Sequence, residues 1–254
     1  MYKLKSALFR FIANSKTISN LLHRVWIFYQ YLRARYLHLK FYKLNQKIFS
    51  LSDRGQDEWV IDIFGLKKES FKGYFLEIGG GDGFANSNTF ILEKYYGWKG
   101  LLVEPDSEQF KKLKIHRPNS ILSNELIYDK NDSLNFLKNG ELSKVVSNDN
   151  IDNSEKICKL NSITLKQLLD KNKSPKIIDF FSLDVEGSEE KVLSSEVLDS
   201  YIFLSMCIER TSLKLHQLLL RKDYFFIRQN IYDYLYINKK IKNFDKIILE
   251  SKIF

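Results

Sequence analysis

The sequence predicts an α/β protein: a doubly wound, mostly parallel sheet of seven strands with a C-terminal antiparallel hairpin, preceded by a helical extension. Three observations predict it. Short runs of β-branched and aromatic residues alternate with helical patterns from about residue 70 onward. The first such run ends in "GGGDG", where four of the chain's eleven glycines fall within five positions. Acidic residues then stand at the ends of successive strand-like runs, which is where open α/β sheets hold their ligands.

Residues 1–50 are set apart by charge. They carry ten Lys or Arg and no Asp or Glu, so the formal net charge of +9 belongs to them and the remainder is close to neutral. A folded domain without a basic surface excludes a protein that tracks nucleic acid over its whole face, and nucleic acid is not an expected partner. Leu22, Val25, Trp26, Tyr29, Leu32, Tyr36 and Leu39 recur at helical steps of three and four, with Arg24, Arg33, Arg35 and Lys40 on other faces. A basic amphipathic helix of this kind suits either an anionic membrane surface or an apolar face of the protein itself or of a second subunit in a homodimer. The arm lacks the apolar core and small-residue cleavage site of a signal peptide. Its longest apolar run, Val25 to Tyr29, is far short of the roughly 20 residues that cross a bilayer. The expected location is cytoplasmic, either free or peripheral at the inner membrane face. Cys158 and Cys207 have neither CxxC nor Cys/His spacing and are expected to be reduced, which excludes a disulfide or zinc framework.

The folded domain is placed at 51–254, where acids reappear in "LSDRGQDEWV". Strands are expected at Tyr74–Ile78, Gly100–Glu104, Ser120–Asn124 and Ile177–Leu183, and then in "YIFLSMCIE"; "YFFI" and "DYLYI" form the closing hairpin. Helices are expected at Ser87–Tyr95 and Ser107–Lys114, and in "ITLKQLLDK", "SEEKVLSSEVL" and "SLKLHQLLLRK". The region between Asn124 and "ITLKQLLDK" reads as a polar stretch.

Glycines at a strand's carboxyl end let a turn bring backbone amides against a ligand with no Cβ in the way. The dinucleotide fingerprint GxGxxG fails here: the frame from Gly79 and Gly81 meets Phe84, and the frame from Gly81 and Gly83 meets Asn86. The pattern that fits is acid-x-G-x-G-x-G, namely Glu77, Gly79, Gly81 and Gly83. Glu104 ends the next strand, where a carboxylate can accept both hydroxyls of a ribose.

This pattern resembles the first motif of class I S-adenosylmethionine-dependent methyltransferases. The ordered blocks "GQDEWV", "FLEIGGGDGFANSNTFILEK", "GWKGLLVEPD", "ITLKQLL" and "IDFFSLDVEGSEEKVL" are similar to the FkbM-type family across about Ser52 to Leu193. In the closing hairpin, Lys222 stands where that family commonly has glycine, and the first fifty residues lie outside the resemblance. The resemblance implies a Rossmann-like fold, S-adenosylmethionine as cofactor and methyl transfer, mostly to hydroxyls. It points to an O-methyltransferase for a small-molecule or saccharide acceptor, such as a sugar or glycolipid-linked sugar. The alternatives are an RNA or protein methyltransferase that uses the arm as a handle, or a scaffold that retains the cofactor fold without turnover.

Carried over residue by residue, cofactor contacts are expected from Glu77, Gly79, Gly81, Gly83, Asn88, Glu104, Pro105 and Asn124, with Asp57 closing over the cofactor. Asp184, Glu186 and Asp82 are the catalytic candidates, with Glu209 in reserve. Simpler roles stand beside these: a helix-start carboxylate for Glu186, an N-cap for Ser87 or Asn88, and a turn for Asn124. No metal is expected; a divalent cation, if held, would fall to Asp184 and Glu186. The four histidines are expected to be solvent-facing or structural.

Overall fold

The run Tyr74–Ile78 carries no polar/apolar alternation, and a strand apolar on both faces must be covered on both. It forms the central strand β1, with Phe75 and Leu76 wholly inaccessible. The computed structural model describes residues 25, 28–37, 50–67, 71–147 and 156–251. The chain divides into two units, Met1–Phe49 and Ser50–Phe254. In the first, residues 28–37 are helical, while Leu22, Trp26 and Leu39 of the expected stripe lie outside the described residues. Among the described residues no helix is long and apolar enough to cross a membrane.

In the second unit, α1 (Gln56–Ile63) precedes β1, and α2 (Phe90–Tyr96), β2 (Lys99–Val103), α3 (Ser107–His116) and β3 (Ile121–Ser123) follow it. Then come β4 (Leu126–Tyr128), β5 (Ser133–Leu137), β6 (Lys144–Val146), β7 (Ile157–Thr164) and α4 (Leu165–Lys171). The remainder is β8 (Ile177–Leu183), α5 (Glu189–Val192), α6 (Ser195–Ser200), β9 (Ile202–Glu209), α7 (Leu213–Arg221), β10 (Tyr224–Asn230), β11 (Asp233–Asn238) and α8 (Phe244–Ser251). Seven strands form one sheet in the order β10-β11-β9-β8-β1-β2-β3. The five from β9 to β3 are parallel, and β11 runs antiparallel between β9 and β10. The seven expected strands are thus the seven of this sheet, hairpin included.

The order reverses at β1, which has β2 on one side and β8 on the other, so a crevice opens at the carboxyl ends of these strands. Register sets what lines it. Ile78 pairs with Val103 and with Leu183, and Leu183 pairs with Ile208. Gly79, Glu104, Asp184 and Glu209 are therefore the next residues on four adjacent strands, at one level.

Several elements depart from expectation. α2 begins at Phe90 rather than Ser87, because Ser87, Asn88 and Thr89 turn their polar atoms toward Glu77 instead of entering the helix. α4 begins at Leu165: β7 runs through Thr164, whose hydroxyl caps the helix in a reciprocal box with Gln167. The segment expected as one helix over Ser188–Leu198 is two, since Ser194 is extended (φ −95°, ψ 162°). The polar stretch holds a second sheet, ordered β4-β7-β5-β6. α1 and α8 were not expected as helices. Cys158 and Cys207 are unpaired.

The sheet contains one forced glycine. Gly100 lies opposite Phe75 in register, and a Cβ there would fall 2.2 Å from the Phe75 ring. Gly100→Ala is expected to lower unfolding free energy by about 1–3 kcal/mol through overpacking, read as a shift in urea midpoint without a change in slope.

Candidate active site

The glycine loop leaves β1 with no room to spare. At Gly79 (φ +85°) a Cβ would sit 1.7 Å from the Asp184 carbonyl oxygen, so β1 and β8 can approach this closely only with glycine there. Gly81 (φ +53°) differs, with nothing within 4 Å of a Cβ position. The loop amides do not point at a ligand as expected. Gly79 and Gly80 both donate to the Val103 carbonyl (3.1 and 3.0 Å), Gly83 to Gly80 (2.9 Å) and Gly81 to Glu104 Oε2 (2.9 Å). The loop supplies space rather than donors at those positions. Asp82 shapes the turn: its Oδ1 accepts from the amides of Phe84 (2.8 Å) and Ala85 (3.0 Å). The Asp82 carbonyl lies 2.7 Å from His116 Nδ1, so that histidine braces the loop.

Glu77 lies beneath the loop, buried, and accepts from Ser87 Oγ (3.2 Å), the Asn88 amide (3.0 Å) and the Thr89 hydroxyl. Burial pushes its carboxyl up, and the nearby Arg117 guanidinium opposes that most strongly. Arg117 is 1% exposed, an unusual place for this residue type. Its Nε donates to Glu93 (2.7 Å), its Nη1 to Ser87 Oγ (3.1 Å) and the Gly83 carbonyl (3.3 Å), and its Nη2 to Thr89 Oγ1 (3.0 Å). Nη1 also lies 3.8 Å from Glu77. The guanidinium sits 5.3 Å from the Phe75 ring centroid and 5.8 Å from that of Phe90. Glu77, expected at the ligand, instead holds the loop's return, with Arg117 as its partner. Asn88 donates to Ser182 Oγ on β8 (2.8 Å), while its Oδ1 is buried without a hydrogen-bond partner.

Glu104 accepts from the amides of Gly81 (2.9 Å) and Asp106 (2.7 Å). Burial pushes its carboxyl up to about 8, those two donors opposing. Asn124 Nδ2 clamps the turn after β2 through the carbonyls of Glu104 (2.6 Å) and Pro105 (3.2 Å). From the helical turn between β5 and β6, Glu141 accepts from Asn86 of the loop (3.4 Å); burial and then the Asp82 charge push its carboxyl up to about 7. Asp57 is fully buried and accepts from the hydroxyls of Ser50 and Ser52 (both 2.6 Å) and the Leu51 amide (2.8 Å). It therefore fastens the segment in which Ser52 bridges to Asn86, and its carboxylate has no face left to close over a cofactor.

Past β8 and β9 the chain gathers four acids around one cation. Carboxylate oxygens of Asp184, Glu189 and Glu209 lie within 4.8 Å of one another. Arg210 meets Glu186 (2.7 Å) and Glu209 (3.3 Å). The helix-start role considered for Glu186 belongs to Glu189, whose Oε1 accepts from the amides of Val185 (3.2 Å) and Gly187 (3.0 Å). Any cation ligand set here would be Asp184, Glu189 and Glu209 rather than Asp184 with Glu186. Asp184 is accessible to solvent yet walled in by protein, and burial followed by the charges of Glu209 and Glu186 raises its carboxyl well above the usual range. Glu209 is raised as well, by burial first and then by the Glu186 charge.

A family model described as the methyltransferase FkbM domain matches residues 77–237. The chain belongs to this family. In this FkbM-domain protein the matched span runs from Glu77 on β1 to Ile237 on β11 of the sheet just described. Among solved structures it is similar to a METTL16 methyltransferase domain (16% identity, TM-score 0.44, covering 71% of this chain and 65% of that one). It is also similar to a methyltransferase from Geobacter sulfurreducens (10% identity, TM-score 0.42, covering 94% and 97%). A third is the N-terminal domain of human METTL16 in complex with SAH (17% identity, TM-score 0.38, covering 71% and 66%). The FkbM chain thus spans 65% of the length of the first METTL16 chain. A search of curated proteins gave no significant match.

Arg117, Glu141 and Glu189 carried no signal in the sequence; only the fold brings them to the site. Arg117→Met would leave the buried Glu77 and the half-buried Glu93 without their cation, and about 3–5 kcal/mol of stability should be lost. Because a buried carboxyl with raised affinity for its proton destabilises the fold as pH climbs past its unfolded value, the deficit should be larger at pH 8 than at pH 5. Urea unfolding at the two pH values checks both.

Proposed function

We propose that this enzyme methylates a hydroxyl of a saccharide, free or lipid-linked, with the Asp184–Glu209 pair taking up the hydroxyl proton. The observation that carries the reading is the acid pair at the carboxyl ends of β8 and β9, level with Gly79 and Glu104. A sugar hydroxyl is a poor nucleophile and must lose its proton as it attacks, and a carboxyl whose proton affinity is raised toward neutrality is a better base for that step. Glu189 and Arg210 position the pair, the first by tying Val185 and Gly187, the second by drawing Glu186 and Glu209 together. An acceptor crevice lined by four acids and one arginine disfavours a phosphate-rich acceptor such as RNA. The basic arm gives the enzyme a handle on an anionic membrane surface, where a lipid-linked acceptor would reside.

The residues fit the cofactor. Gly81 faces open space, Asn88 Oδ1 is a buried acceptor lacking a donor, and Glu104 ends β2 beside the loop. S-adenosylmethionine supplies a methyl group on a sulfonium leaving group. Glu104 would take both ribose hydroxyls as a carboxylate, and Asn124 with Pro105 would hold the turn that presents it.

Two outcomes are expected. Incubating cell extract with cofactor carrying a labelled methyl group should label a saccharide, and Asp184→Asn should cut kcat by about 10²–10⁴-fold with cofactor affinity kept; label in RNA or protein, undiminished in the variant, would sink the reading. For Glu104, the free carboxyl holds its proton below about 8, so cofactor binding should release it. Affinity should then rise with pH by up to about tenfold per unit until that value and level off above it. Calorimetry in two buffers of different ionisation enthalpy measures the proton released, and Glu104→Gln should abolish the release.

A further inference from the structure

The folded unit holds a second cavity, of about 900 Å³, away from the methyl-transfer crevice. It is lined by α1, α8 and the strands β8 to β10. Asp179 and Leu204, its contributors from β8 and β9, lie five residues before Asp184 and Glu209, which is about 17 Å along the strands. Its size falls in the roughly 300–1,000 Å³ range of small-molecule sites.

The lining separates into two parts. One wall is aromatic and aliphatic: Trp59, Phe64 and Phe71, with Leu204 and Ile247. Phe64 and Phe71 stack at 5.5 Å, and both meet the edge of Trp98 (5.4 and 5.6 Å), so this wall is rigid. The other part is cationic, with Arg228, Lys240, Lys242 and Lys246 all exposed. The acids that line the cavity are already engaged. Lys67 holds Asp62 (2.7 Å), Lys246 faces Glu250 (3.8 Å), and Asp179 accepts from the Tyr74 amide (2.7 Å). Arg228 and Lys240 have no carboxylate partner among the described residues.

We propose that this cavity binds a single-chain anionic amphiphile, an acyl chain lying along Phe64 and Phe71 with its phosphate or carboxylate at Arg228 and Lys240. An apolar ligand alone would leave Arg228 and Lys240 without a counter-charge, and a bare anion would leave the exposed parts of Phe64 and Phe71 wet; a molecule carrying both satisfies the two halves. The basic arm is a poor occupant, since its ten cations would meet a cationic rim. The site is distinct from the acceptor crevice, and its occupancy does not depend on the nature of the methylated group.

The test uses the full chain and lysophosphatidic acid below its micellar concentration, followed by calorimetry, with lysophosphatidylcholine and inorganic phosphate as controls. Saturable one-to-one binding of lysophosphatidic acid is expected, with neither control matching it. Arg228→Glu combined with Lys240→Glu should weaken it by about tenfold or more while S-adenosylmethionine affinity stays unchanged. A chain-brominated lysophosphatidic acid should quench tryptophan fluorescence, since Trp59 lines the cavity and Trp98 lies edge-on to Phe64 and Phe71, and Trp59→Phe should reduce that quenching while binding persists. Equal binding of the zwitterionic lipid, affinity indifferent to the charge reversal, or a brominated chain that leaves tryptophan fluorescence unquenched would each overturn the assignment.

Discussion

The closest constraint in the molecule is the contact of Gly79 with the Asp184 carbonyl, a gap that admits no side chain. Because Gly79 can sit there, β1 and β8 stay in parallel register to their last residues, and Asp184 donates its amide to Ile78 (3.0 Å). That register brings the glycine loop, Glu104 on one flank and the acids on the other to a common level. A single extra carbon would push the two strands apart at the point where the sheet reverses, and every alignment across the crevice would shift with it.

A loop built mostly of glycine has little internal reason to keep one shape, and its backbone entropy opposes order. The protein answers from below, with charge. Arg117 links Glu93 on α2, the Gly83 carbonyl in the loop, and the Ser87 and Thr89 hydroxyls that also serve Glu77 on β1. One buried guanidinium thus joins strand, loop and helix. A buried network of this kind is stable only when each member is satisfied, so it imposes a single arrangement on the loop. Asp57 applies the same logic from outside, through Ser52 and its bridge to Asn86.

The parts legible in the sequence were those written in local pattern. Apolar runs such as "FFSL" and "GLLV" announced buried parallel strands, and "EIGGGDG" announced a turn at a strand end, because glycine density and an adjacent acid are sequence-local facts. The second sheet was not legible: β4 and β6 are three residues each, and the alternation of Cys158, Lys159, Leu160 and Asn161 in β7 breaks at Ser162, too short a run to stand out. At the site, Glu104 and Asp184 stand at the strand ends where the pattern put them, because register alone decides that level. Roles that depend on what packs underneath were not readable. Glu77 and Asp57 look like ligand-facing acids in one dimension, and only the burial of Arg117 and the fold-back of Ser50–Ser52 turn them inward. Glu189 and Glu186 lie three residues apart, and which of them ties the helix start depends on Glu186 having a left-handed backbone (φ 56°) that swings it toward Arg210.

That left-handed residue belongs to a pattern. Glu186 and Arg210 both have positive φ (56° and 48°), both follow the strand ends that carry Asp184 and Glu209, and they pair with each other. Neither is a residue type that adopts this conformation cheaply, and each such position costs on the order of 1–3 kcal/mol. Four carboxylates gathered around one arginine are unfavourable as well, since like charges in a walled site repel and raise one another's proton affinity. A fold selected only for stability would relax both features by replacing one acid with an amide or Glu186 with glycine. That strain and like-charge crowding meet at one corner of the crevice, level with Gly79 and Glu104, supports reading this corner as the place where the acceptor's proton is handled rather than as part of the scaffold.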